Sequence, residues 1–87
     1  MTQFANTDEF FQFVRDSIMR LHRSGHSLVA LRLSDGFRLI NGLTDGWADF
    51  LDAVQKIQAE FAQTLPAEER EALERIRTAT HGAVYHR

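Results

Sequence analysis

Apolar positions along the first third of the chain follow a helical period. Phe10, Val14, Ile18 and Leu21 form a stripe that Phe11, Phe13 and Met19 widen. The pattern predicts a helix over about residues 7–22. Asn6 and Glu9 have capping-box spacing, with Thr7 as a rival cap, and Asp8 and Glu9 suit the positive end of a helix. Arg20, His22 and Arg23 favour the negative end, and Gly25 is a suitable left-handed terminator. Aromatic rings at 10, 11 and 13 cover more than one narrow face. This helix therefore either packs between two partners or leaves part of its surface as an interface.

The period then changes. Val29, Leu31 and Leu33 alternate with Ala30, Arg32 and Ser34, while Phe37, Leu39 and Asn41 alternate with Arg38 and Ile40. Asp35-Gly36 lies between the two runs and suits a tight turn with positive backbone dihedrals. The pattern predicts a two-stranded antiparallel hairpin over about 28–41, with Arg32 and Arg38 near one solvent face. A two-stranded ribbon is marginal alone in water, so its apolar face is expected to lie on helices. Its edges carry neither proline nor lysine to blunt pairing with another chain.

Beyond the turn-rich segment Asn41–Gly46, helical periodicity returns. Trp47, Phe50, Leu51, Val54, Ile57, Phe61 and Leu65 define an apolar face over about 46–65, with Thr44 or Asp45 as the cap and Asp52–Lys56 in the favourable i,i+4 order. Leu65-Pro66 marks a break. A last helix is expected over about 66–80, acids early and bases late, closed by Gly82 and followed by a short tail. The resulting fold class is α+β: one domain over 1–87, in the order α-β-β-α-α, a hairpin packed against helices.

Composition sharpens this picture in a few places. At 87 residues the chain has room for one core, and chains of this size bury only about 60–65% of the surface their unfolded forms expose. Cysteine is absent, which removes disulfides and thiolate ligands as stabilisers and leaves packing, with dimerisation as a natural supplement. The apolar fraction of 44% argues against intrinsic disorder. Net charge is −2, which is not the balance of a polyanion binder, yet between Arg15 and Arg38 the arginines Arg15, Arg20, Arg23, Arg32 and Arg38 oppose only Asp16 and Asp35. The N-terminus lacks the basic and apolar regions of a secretory signal, and no apolar run reaches the roughly 18–20 residues of a membrane span. A cytoplasmic location and no membrane association are the expectation.

Candidate chemistry is sparse. His22 and His26 straddle a helix end, His81 and His86 sit near the C-terminus, and no His-Glu-x-x-His is present, so no metal site is expected. Asp45, Asp49 and Asp52 read as favourable charge at a helix start. No serine has nucleophile-elbow surroundings. Gly42-Leu43-Thr44-Asp45-Gly46 has no lysine and carries an acid, unlike a phosphate loop. No cofactor is expected.

The reading is of a small non-enzymatic interaction or regulatory protein. Its surface would be built from Phe11, Phe13, Arg15, Arg23, Arg32, Arg38 and Trp47, because arginine and aromatic side chains suit protein interfaces. A homodimer with Phe11 or Phe13 at the contact is expected, with a second protein as a further partner. The alternative is a nucleic-acid accessory protein using Arg15, Arg20, Arg23, Arg32 and Arg38.

Overall fold

The computed structural model describes residues 4–40 and 46–85. Among them there are four helices and no strand: α1 (Thr7–Arg23), α2 (Ser27–Phe37), α3 (Gly46–Phe61) and α4 (Ala67–Tyr85). Each helix packs on its neighbours in the order α1–α2–α3–α4, and α4 closes the ring on α1. Named pairs fix the directions. Phe11, early in α1, meets Phe37 at the end of α2. Arg32 reaches Glu60 and Arg20 reaches Glu69. Neighbours are thus antiparallel, and the chain is an up-and-down four-helix bundle with short connections. Thr44, Asp45 and His86, to which a cap and a cluster member were assigned above, lie outside the described residues, as do Asn41 and Gly42.

The α+β expectation is overturned at α2, which replaces the hairpin. The alternation from Val29 to Ser34 coexists with a second pattern, Val29, Ala30, Leu33 and Phe37, which is one face of a helix. Leu, Ala and Arg favour that helix over a strand. Asp35-Gly36 is not a turn: Gly25, with φ 88°, is the only glycine with positive φ among the described residues. Gly36 is helical, and its missing side chain lets α2 approach α3, because an added Cβ would stand 2.8 Å from the Ala53 Cβ. The helical answer also pairs the interior backbone groups within one segment, whereas an isolated ribbon leaves two open edges.

Helix α1 starts and ends as the sequence indicates. The Asn6 side chain accepts from the Glu9 N–H at 2.8 Å, and the Ala5 N–H donates back to Glu9 Oε1 at 3.4 Å. At the other end His26 N–H donates to the Leu21 carbonyl and Gly25 N–H to that of His22, a Schellman closure. Helix α3 stops at Phe61, earlier than the periodicity implies, as the chain turns ahead of Pro66; Leu65 remains buried. Helix α4 runs past Gly82 to Tyr85.

The core draws on all four helices: Phe10, Val14 and Leu21 from α1, Val29, Ala30 and Leu33 from α2, Phe50, Val54 and Ile57 from α3, and Leu73, Ile76 and Ala79 from α4. Two buried hydroxyls are satisfied locally. Ser17 donates to the Phe13 carbonyl at 2.9 Å, and Thr80 to that of Ile76 at 2.7 Å. At one end of the bundle the rings of Phe10 and Phe11 stack on Trp47 at 5.7 and 5.8 Å. The aromatic excess of α1 is absorbed there, so the helix packs between partners within its own chain.

Candidate functional site

The residues singled out for an interface fall into three groups. Phe11, Phe13 and Trp47 are half-buried. Phe11 packs between Phe37 and Trp47, while Phe13 lies on Phe4, with the Arg75 guanidinium 4.6 Å from the Phe13 ring centre. Arg15 and Arg23 are exposed on α1. Arg32 and Arg38 are exposed on α2 or just beyond it.

The arginines are largely engaged within the chain. Arg20 Nε donates to Glu69 Oε1 at 3.3 Å, and Arg32 forks onto both Glu60 oxygens. Arg38 lies 3.7 Å from Asp35, and Arg15 donates to Gln12 at 3.5 Å. They are spread over α1 and the α2 side rather than gathered into one basic face.

Two surface features stand out. The first is a shallow groove of about 320 Å³ where the end of α1 meets the start of α4, lined by Arg20, Arg23, Ser24, Pro66, Glu68 and Glu69. Opposed charges balance there. Glu69 is buried, and its Oε2 has no hydrogen-bond partner.

The second feature is the outer face of α2. Leu28 is 55% exposed and Leu31 52%, and Leu39, in the turn that continues the helix, is 43% exposed. On the opposite side Val29, Ala30, Leu33 and Gly36 are buried against α1 and α3. Helix α2 is therefore apolar on both sides, whereas a helix at the surface of a bundle needs only one such stripe. Among the described residues five large apolar side chains are this exposed, and the other two are Met19 on α1 and Tyr85 on α4. Arg32, Asp35 and Arg38 intersperse charge along the leucine face.

Sequence reasoning named Arg32 and Arg38 in this face and missed Leu28, Leu31, Asp35 and Leu39. Read as strands, Leu31 and Leu39 fall on the alternating apolar face expected to lie on helices, and Leu28 is assigned to neither face. Read as a helix, apolar residues at 28, 29, 30, 31, 33, 37 and 39 surround the axis. That all-round pattern was the available signal.

The remaining candidates do not converge. His22 is exposed, His26 is the N-terminal flank of α2 and makes no side-chain cap, and the His81 ring lies 4.5 Å from that of Tyr85. Among the described residues no group of three or more His, Asp or Glu side chains is placed to hold a metal ion. None of the described helices is long and apolar enough to cross a membrane. No family model, curated protein or solved structure matches the chain.

Proposed function

We propose that this chain is a small non-enzymatic interaction protein of the cytoplasm, acting through the outer face of α2. The observation that carries this reading is the pairing of Leu28 and Leu31, each more than half exposed, with a fully formed core face on the other side of the same helix. The core does not need these leucines, and clustered apolar exposure of this kind marks contact surfaces. Arg32 and Arg38 give the face a polar border suited to carboxylates on a protein partner. The nucleic-acid reading is weaker, because the net charge is −2 and the arginines are spread over α1 and the α2 side rather than gathered into one basic face.

The test is a photo-crosslinking residue placed at Leu31, with Gln55 on the polar outer side of α3 as control. Discrete crosslinked protein species formed in cells from position 31 and not from position 55 support the reading. Absence of any product from position 31, or equal products from both, overturns it.

A further inference from the structure

We propose that the partner of the α2 face is a second copy of this chain, with the two α2 helices antiparallel about a two-fold axis passing between Leu33 and Ser34. The inference rests on the reading of this face as a contact surface and adds to it the identity and register of the partner.

The face is self-complementary. Leu28, Arg32, Asp35 and Leu39 are spaced four, three and four residues apart, the spacing of a helical packing seam. A two-fold axis at the midpoint of that seam sets Leu28 opposite Leu39 of the other copy, and Arg32 opposite Asp35. Each pairing then occurs twice, as an isologous contact demands. Apolar residues meet at both ends and opposite charges in the middle. Alignment in parallel would instead bring like charges together.

The charges are available for this arrangement. Asp35 is exposed, and its in-chain partner Arg38 stands 3.7 Å away, both side chains being largely in solvent. Arg32 is held by Glu60 and lies 5.7 Å from the Phe61 ring centre, so its guanidinium is positioned at the α2–α3 boundary by contacts within the chain. Glu60 occupies only part of its five-donor fork. The outer side of the neighbouring α3 is more polar, its exposed positions including Asp52, Gln55, Lys56 and Glu60. An area set by one short helix places the contact at the small end of specific interfaces, so the association is expected to be weak and concentration-dependent.

Sedimentation equilibrium from micromolar to about 1 mM chain tests the proposal. The chain is expected to rise from 10.0 kDa toward twice that mass with increasing concentration. Leu28→Glu, whose helicity is checked by circular dichroism, should weaken association by about 100-fold. Asp35→Arg and Arg32→Asp should each self-associate poorly, because each sets like charges across the axis. Mixed in equal amounts they should pair more tightly than either alone, since every central contact is again between opposite charges. A constant mass of 10.0 kDa across the range overturns the proposal, as does undiminished association of Leu28→Glu or no gain on mixing. A constant mass combined with heterologous crosslinks from position 31 would reject the second copy and leave the contact face standing.

Discussion

Gly36 and Ala53 set how closely α2 approaches α3. A Cβ at position 36 would lie 2.8 Å from the Ala53 Cβ and 3.4 Å from Phe50 Cδ1. Two effects compete in Gly36→Ala. Helix propensity favours alanine by about 1 kcal/mol, and overpacking of a tight crossing costs about 1–3 kcal/mol. The crowding is against a side chain rooted in a packed helix, so the cost dominates. Urea unfolding should show a net loss of about 1 kcal/mol for Gly36→Ala, with part of it recovered in the double variant that also carries Ala53→Gly. A stabilised Gly36→Ala would contradict the crossing described here.

Arg20 and Glu69 form the bridge between α1 and α4, and they are unequal partners. The Arg20 side chain is 41% exposed and that of Glu69 only 9%. Removing the arginine strands a buried carboxylate, whereas Glu69→Gln removes the charge and keeps the shape. Arg20→Ala is expected to cost about 1–3 kcal/mol and Glu69→Gln less than about 1 kcal/mol. Chemical denaturation of the two variants checks the order, and a larger loss for Glu69→Gln would contradict it.

Glu74 accepts from Arg77 Nε at 2.7 and 2.8 Å through its two oxygens. That hydrogen bond, with Arg77's charge and a bond from Gln58 adding to it, holds the carboxyl below the ordinary value of 4.5, against a smaller opposing effect of burial. Because the folded-state value is depressed, the stabilisation is present above pH 4.5 and is lost as pH falls through the lowered value. Both side chains are substantially solvated, so the pair is worth only about 0.3–0.5 kcal/mol. Thermal unfolding of the natural chain and of Glu74→Gln should differ slightly at pH 7 and converge in acid. A gap that widens in acid would contradict the assignment.

Local signals were legible in the sequence where the deciding contacts were local. Asn6, Glu9 and Gly25 determine the ends of α1 through partners within five residues, and all three behave as the sequence implies. Residues 28–39 were misread because a strand alternation and a helical stripe share the same apolar letters. The packing that the helical stripe makes, including the close approach of Gly36 to Ala53 seventeen residues along the chain, is not encoded in periodicity. The leucine face was hidden by the same choice, since sidedness depends on period. The aromatic cluster was half legible. Its breadth showed that α1 meets more than one surface, but not that Trp47 and Phe37 supply them.

The outer face of α2 is proposed as a contact surface for a second copy of the chain. Amide NMR spectra recorded over a dilution series from about 1 mM to the low micromolar range test it residue by residue. Concentration-dependent shifts are expected to be confined to residues 27–39 and to Glu60, whose partner Arg32 lies in the contact, with α4 unmoved. Spectra that do not change on dilution, or shifts centred on α1 or α4 instead, would contradict it.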